Sequence, residues 1–303
     1  MQFLDLPNCP VEEADIIILP VAYDRTVTYN KGTAKGPKAI LDASAQLEFY
    51  EEDMAWSPLQ FMKICVLPQI EDDIAVAEAD FHQGLYDCVS PLPAKSLFIG
   101  LGGEHSITPD MVRGRMPDGG TIVHIDAHAD FRASYHGSIY NHACPINRLR
   151  RMGYDVIQLG IRSLNSVEAR ELAADSHITT WFDRMLQKPS NWQAMLEQLN
   201  NLSGDVWFTV DFDGFDPALV GGVSTPQPGG LSWHQGLDVL ETLTHNPKIN
   251  LRGIDLLELI PEPSCVSDMM AAKFVQKCLS YWGKAKGFDS APKQGSQAGI
   301  NDE

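Results

Sequence analysis

The sequence predicts an α/β protein, a mainly parallel central sheet with helices packed on both faces. Two observations carry this. Six short apolar runs recur along the chain, and each is continuous rather than alternating, the pattern of strands buried on both faces. The intervals between them hold helix-like stretches, the layout of strand–helix–strand units.

In chain order, the Ile-Ile-Ile-Leu run at 16–19 is the first predicted strand. A helix is predicted over 37–49, because Pro37 suits the first helical position, where an N–H would be unsatisfied anyway. A second helix over 73–89 leads to the strand 96–99, and the strand 121–125 follows. Strands 156–159, 206–210 and 251–257 come next, with helices over 166–174, 191–200 and 232–244 among them. The last helix, 267–282, takes Ser267 as N-cap, and Met270, Phe274, Cys278 and Trp282 recur every four residues as an apolar face for the sheet. Beyond Trp282 the chain becomes poor in apolar residues and rich in Gly, Ser, Lys and Gln, so 284–303 reads as a flexible tail. With no internal repeat and no break in composition, 1–283 is expected to be one domain.

A chain of 303 residues, 44% apolar and 21% charged, can bury a large core, which excludes a disordered or fibrous protein. Its formal charge of −17 repels polyphosphate and excludes nucleic acid as a partner, while favouring a small cationic molecule. The plainer reading of that charge, a soluble acidic surface, explains the number equally well. Six cysteines without a C-x-x-C pair read as free thiols. The start carries no basic flank and apolar stretch, and no run of about 18 apolar residues occurs, so no membrane partner is expected and the compartment is read as cytoplasmic.

The strand 121–125 runs into Asp126, His128 and Asp130 at alternate positions with only alanine between them. In extended backbone such side chains share one side, about 6 to 7 Å apart along the chain, and can surround metal ions. A polar turn rarely needs three ligand-type residues in that alternation. The strand 206–210 repeats the device with Asp211 and Asp213, whose charges repel unless a cation lies between them. Asp216, before Pro217, reads as a turn or supporting carboxylate. In the third piece, 96–106, a strand and a glycine bend lead to His105. Strand C-termini of an open α/β sheet are where ligand sites form. A Gly-Gly bend also occurs in phosphate loops, but no G-K-[ST] is present.

Together these segments supply four carboxylates and two imidazoles. Four negative charges balance two divalent ions and leave the histidines neutral. Carboxylate-rich mixed sites suit Mn²⁺, two per chain, rather than a thiolate-bound structural zinc. A pair of such ions generates hydroxide near neutral pH for attack on an electrophilic carbon.

The chain resembles the ureohydrolases, the arginase and agmatinase family. The matching segments are Gly-Gly-Glu-His-Ser at 102–106, His-Ile-Asp-Ala-His-Ala-Asp at 124–130, Asn-His-Ala-Cys-Pro at 141–145, Val-Asp-Phe-Asp-Gly-Phe-Asp-Pro at 210–217 and Ser-Thr-Pro-Gln-Pro-Gly-Gly-Leu at 224–231. Gly-Thr-Ala-Lys-Gly-Pro at 32–37 and Asp-Leu-Leu-Glu-Leu at 255–259 extend the match over nearly the whole chain before the tail. The resemblance implies a three-layer α/β/α fold, two manganese ions, and assembly into a homo-oligomer, a trimer or hexamer. It implies that His105, Asp126, Asp130 and Asp211 hold one metal, and Asp126, His128, Asp211 and Asp213 the other, with Asp126 and Asp211 bridging. It places His142 near the leaving nitrogen and Glu258 facing the guanidinium. A guanidinium carbon is poorly electrophilic and its amine leaves poorly, so proton delivery by His142 and paired hydrogen bonds from Glu258 make chemical sense. The rival readings are a surface histidine in a polar loop for His142 and an ion-paired strand-end carboxylate for Glu258. Glu104 stands where many members have Asp, Gln227 where many have Glu, and Gly-Gly-Val-Ser at 221–224 replaces a Pro-containing turn. None of these is an expected ligand, so they bear on pocket shape.

The loop 131–141 lacks an arginase pattern for holding an α-amino acid end and looks like the agmatinase branch, as does Gly-Ile-Arg-Ser at 160–163. The expected substrate is therefore agmatine, cut to putrescine and urea in polyamine biosynthesis, with N1-aminopropylagmatine next. A guanidino acid such as 4-guanidinobutyrate would need Arg132 to meet its carboxylate, whereas an ordinary salt bridge is the plainer role for Arg132. Arginase, a single-zinc deacetylase-like amidohydrolase and an inactive oligomeric scaffold rank lower, because His105 and Asp213 favour two metals and all six ligands and His142 are present.

Overall fold

Among residues 1–288, which this computed structural model describes, nine strands join in one parallel sheet. They are β1 (Ile16–Ala22), β2 (Ile64–Val66), β3 (Ile70–Glu71), β4 (Leu97–Gly102), β5 (Thr121–Ile125), β6 (Asp155–Ile161), β7 (Ile178–Phe182), β8 (Gly204–Asp211) and β9 (Ile249–Leu257). The spatial order is β2-β1-β4-β9-β8-β5-β6-β7, with β3 beside β1. The helices are α1 (Gly36–Ser44), α2 (Glu78–Val89), α3 (Thr108–Arg115), α4 (Pro145–Arg151), α5 (Ser166–Ala174), α6 (Asp183–Leu186), α7 (Pro189–Asn200), α8 (Trp233–His245) and α9 (Val266–Ala285).

The pleat of β1 shows why the apolar runs are continuous. Ile16 and Ile18 enter one core with α1, α7, α8 and α9, while Ile17, Leu19 and Val21 enter a second core with α2, α3, α4 and α5. The sheet is therefore the middle of three layers, as the fold reading expected.

Several boundaries differ from the sequence reading. Helix α1 stops at Ser44 rather than 49, and α2 begins at Glu78 rather than 73, because Ala77 is extended. Ser267 is not an N-cap. That place belongs to Cys265, held at φ 56°, while the Ser267 hydroxyl donates to Glu262 and accepts from the Gly222 N–H. The stripe Met270, Phe274, Cys278 and Trp282 is buried, but so are Gln276, Lys277 and Ser280, since α9 is covered on nearly all sides. Lys277 holds Glu51, Glu52 and Asp53, and so pins the long connection after α1 onto α9. Helix α9 runs on to Ala285, and the Phe288 carbonyl accepts from the Trp56 indole at 3.1 Å. The expected tail thus begins inside packed structure, and 289–303 lie outside the described residues.

Candidate metal centre and active site

Strands β4, β9, β8 and β5 stand side by side, and their C-terminal ends carry the residues singled out in the sequence. His105 follows β4, Glu258 follows β9, Asp211 ends β8 with Asp213 after it, and Asp126, His128 and Asp130 follow β5. The bend after β4 requires glycine. A Cβ on Gly103 would lie 1.9 Å from the Tyr23 carbonyl oxygen, while the Gly103 carbonyl accepts from the Glu258 N–H at 2.8 Å. Asp130 and Glu258 adopt left-handed backbone, φ 49° and 66°, a strain of about 1 to 3 kcal/mol each that characteristically collects at functional sites.

These residues converge. His105 Nδ1 faces Asp126, Asp211 and Asp130 oxygens at 3.2, 3.4 and 3.5 Å. His128 Nδ1 faces Asp213 at 2.9 Å and Asp126 at 3.5 Å. Asp126 is shared between the two groups. Backbone N–H groups hold the carboxylates in place: His128 donates to Asp126 at 2.5 Å, Asp213 to Asp211 at 2.8 Å and Ala127 to Asp213 at 3.0 Å.

One layer lower, a polar row crosses four strands in register: Gln158 on β6, His124 on β5, Thr209 on β8 and Asp255 on β9. Thr209 bonds Asp255, and His105 Nε2 lies 2.9 Å from the Thr209 oxygen. The carboxylate makes the hydroxyl a donor, the hydroxyl then accepts from Nε2–H, and Nδ1 keeps its lone pair toward the three carboxylates. On the other side the Gln158 amide faces His124 Nδ1 at 3.2 Å, which leaves Nε2–H to donate to Asp126 at 2.7 Å. His124 also lies close enough to His105 and Asp126 to share an ion with them, but those two hydrogen bonds occupy both ring nitrogens.

The electrostatics test whether cations fit. Burial first, then the Asp126 charge, raises the Asp130 carboxyl well above the usual range, and burial with Asp213 and Asp126 does the same to Asp211. Burial opposes ionisation of Asp126, but His124, His105 and His128 outweigh it and hold that carboxyl well below its usual range. Despite burial, the Asp213 and Asp126 charges push His128 up to about 12. Without cations the cluster thus favours protons on Asp130, Asp211 and His128. Buried His105 Nδ1 has no hydrogen-bond partner although three carboxylates surround it. A hard donor set, two separate clusters sharing Asp126, and a buried Nδ1 without a hydrogen-bond partner set among three carboxylates fit a pair of divalent cations.

Above the clusters lies a cavity of about 260 Å³ whose lining includes His128, Asp130, Asp211, His142 and Glu258. The eight residues named from sequence therefore meet in one place. Glu258 is buried, accepts from the His105 N–H at 2.7 Å, and has its carboxyl raised well above the usual range by burial and then by the Asp211 charge. His142 is held by Thr26, whose hydroxyl accepts from the His142 N–H at 2.9 Å and lies 3.3 Å from Nδ1, while Thr28 reaches Nε2 at 3.5 Å. Burial, then the His128 charge, lowers the His142 pKa to about 4, so the ring is neutral at neutral pH. Glu104 accepts from the Thr26 N–H at 2.6 Å and hydroxyl at 2.7 Å, and so fixes the residue that fixes His142. Arg132 lies over the Tyr135 ring at 4.2 Å and 4.0 Å from Glu168, the salt-bridge role.

Sequence reading missed Thr26, Thr28, His124, Gln158, Thr209 and Asp255. For His124 and Thr209 the signal was present, since each stands two residues before an aspartate on the same strand face. Gln158, Asp255, Thr26 and Thr28 act across strands and loops, and only the register brings them in. A larger cavity, about 960 Å³, lies beside α1 and the start of α9, but neither histidine nor any of these clustered residues lines it.

A three-layer parallel α/β fold with a carboxylate and imidazole centre at its strand ends defines an enzyme of the metallohydrolase type. The family model described as the Arginase family matches residues 14–280. The chain belongs to the arginase family and is a hydrolase of that family, whose members generally depend on two metal ions. It is 34% identical over 283 residues to the N(1)-aminopropylagmatine ureohydrolase of Synechocystis sp., covering 90% of this chain and 91% of the relative. It is 34% identical over 261 residues to the agmatinase of Pyrococcus horikoshii, covering 84% and 87%. The agmatine ureohydrolase structure from Thermoplasma volcanium superposes with a TM-score of 0.77 at 29% identity, covering 92% of this chain and 93% of that one.

Proposed function

We propose that this chain is a binuclear manganese ureohydrolase that releases urea from an amine-ended guanidine, N1-aminopropylagmatine ahead of agmatine. The observation that carries the reading is His105 Nδ1, buried and unpartnered among three carboxylates, beside the His128–Asp213 pair under the cavity that His142 and Glu258 line. His105, Asp126, Asp130 and Asp211 would hold one ion, and Asp126, His128, Asp211 and Asp213 the other. When bound, the ions supply Lewis acidity and bring the ionisation of water into the neutral range.

The chain's own residues supply the rest. Glu258, in left-handed backbone and held by the His105 N–H, offers a carboxylate oxygen to the guanidinium N–H groups and orients the carbon toward the cavity floor. A neutral His142 is a proton shuttle rather than a standing acid. It takes up the proton released as water attacks and hands it to the leaving nitrogen, which departs as the amine. Thr26 and Thr28 keep the ring aimed while that proton moves.

Substrate choice follows from charge and room. A carboxylate on the substrate would meet Glu168, Asp130 and Glu258 in the same cavity, where Arg132 already faces Glu168, whereas an amine end is attracted there. Thr28 and Tyr135 also line a neighbouring cavity of about 400 Å³ with Glu78 and with Arg25, whose charge Asp72 pairs at 2.6 Å, so a longer polyamine chain has room to extend toward a further carboxylate. This favours the longer substrate. Agmatine stands second on its likeness to the Pyrococcus agmatinase. Six free cysteines accord with a cytoplasmic enzyme, and the trimer or hexamer implied by the motif resemblance belongs to the same proposal. Among the described residues no helix is long and apolar enough to cross a membrane.

The test is urea release from a panel of guanidines with Mn²⁺ present. We expect kcat/KM for N1-aminopropylagmatine or agmatine at least about 10²-fold above arginine, the ratio expected when a buried charge is left unpaired. Comparable values for arginine or 4-guanidinobutyrate would show that Arg132 or another group receives a carboxylate.

A further inference from the structure

The loop that leads to His142 turns back on itself at Tyr135–Ser138. The Tyr135 and Ser138 N–H groups each donate to the other's carbonyl, at 2.9 and 3.0 Å, and His136 and Gly137 between them adopt left-handed backbone, φ 47° and 84°. Positive φ at both central residues is the geometry of a tight two-residue hairpin turn, so the loop is held in one shape. The Ser138 hydroxyl donates to Glu78 Oε2 at 2.7 Å and accepts from the Tyr140 N–H at 2.9 Å, which ties the turn to the first residue of α2.

That tie fixes one oxygen of Glu78 and leaves the other. Glu78 is half-buried, and its Oε1 makes no hydrogen bond or ion pair among the described residues and keeps accessible surface. The residue lines the cavity of about 400 Å³. Arg25 lines it too but does not cancel the charge, because its guanidinium is already spent. Nε and Nη2 donate to Asp72 at 2.8 and 2.6 Å, and Nη1 donates to the Val76 carbonyl at 2.7 Å. His136, also in the lining, lies against the Tyr135 ring at 4.1 Å. The cavity therefore holds one carboxylate that is held in place and only partly used.

We propose, resting on the ureohydrolase reading, that this cavity is a second substrate subsite in which Glu78 binds the terminal ammonium of an aminopropyl-extended guanidine. Thr28 and Tyr135 line both cavities, so the two hollows adjoin along those side chains. With the guanidinium on Glu258, the inner amine of the extended chain lies among Glu168 and Asp130, and the outer ammonium donates to Glu78 Oε1. Because Ser138 already orders the carboxylate, little side-chain freedom is lost on binding. Agmatine, shorter by the aminopropyl group, ends in the first cavity and gains nothing from Glu78. Glu78 thus sets the preference for substrate length, while the metal-type clusters and His142 serve both substrates alike.

Urea release by the manganese-loaded full chain tests this with three substrates: N1-aminopropylagmatine, agmatine, and N1-butylagmatine, which carries a methyl group in place of the outer ammonium. In the parent, kcat/KM for the aminopropyl substrate is expected about 10-fold above the butyl analogue, the scale of one charge-assisted hydrogen bond. Glu78→Gln keeps an acceptor for Ser138 but not the charge. It should bring that ratio to about 1 by raising KM for the aminopropyl substrate, with a loss on agmatine at least about 5-fold smaller. No preference over the butyl analogue in the parent, or a preference that survives in Glu78→Gln, would overturn the subsite. So would an equal loss on agmatine, which would mean that Glu78 only braces the turn. In each of those cases urea from agmatine leaves the ureohydrolase reading standing, whereas no urea from any guanidine would overturn both.

Discussion

Asp211→Asn is expected to cost about 10³-fold or more in kcat and to strip metal from the protein, while the metal-free variant melts no lower than the metal-free parent. Asp211 is buried, lies 3.4 Å from His105 Nδ1, and would lie between the two ions. Asparagine keeps the shape and can keep the bond from the Asp213 N–H, made at 2.8 Å, but gives up a charge that two cations share. In the metal-free protein that same charge is unfavourable, since burial and the Asp213 and Asp126 carboxylates all oppose it. Function and stability should therefore move in opposite directions. Elemental analysis, saturating urea-release kinetics and thermal unfolding of both metal-free proteins check the three parts. A variant that keeps its metal and its rate would remove Asp211 from the centre.

His142→Ala should lower kcat between about 10²- and 10⁴-fold with metal content intact, the range of a positioned proton carrier. KM should change far less, because Glu258 rather than His142 meets the substrate's charge in this account. The loss belongs to the imidazole itself, since the Thr26 hydroxyl that accepts from the residue's backbone N–H at 2.9 Å can still do so in alanine. An unchanged rate at saturating substrate would take His142 out of the mechanism.

What sequence revealed and what it hid divide along a physical line. Six of the nine strands were read, because runs buried on both faces cannot alternate, and Ile16, Ile17, Ile18 and Leu19 at 0% exposure show the cause. The three strands missed were edge elements. β2 and β3 are too short to leave a pattern, and β7, Ile-Thr-Thr-Trp-Phe, is only half buried. Helices α3 and α4 escaped because Thr108-Pro109 and Cys144-Pro145 look like breakers, although proline at a first or second helical position starts a helix. At the site, residues two apart on one strand were legible from period alone. The supports reached across register, such as Thr209 with Asp255 or Glu104 with Thr26, were not, because pairing partners some 46 or 78 residues apart leave no local trace.

In the proposed centre six of the eight clustered residues hold two metals, and His142 and Glu258 complete the site that makes urea. Stepwise manganese reconstitution of metal-stripped protein, with bound metal and urea release measured on the same samples, tests it most directly. The account predicts about two Mn²⁺ per chain at full activity and negligible urea from metal-free protein, since the shared carboxylates complete two coordination spheres. Full activity at a reproducible one metal per chain, or urea release from metal-free protein at the reconstituted rate, would contradict it.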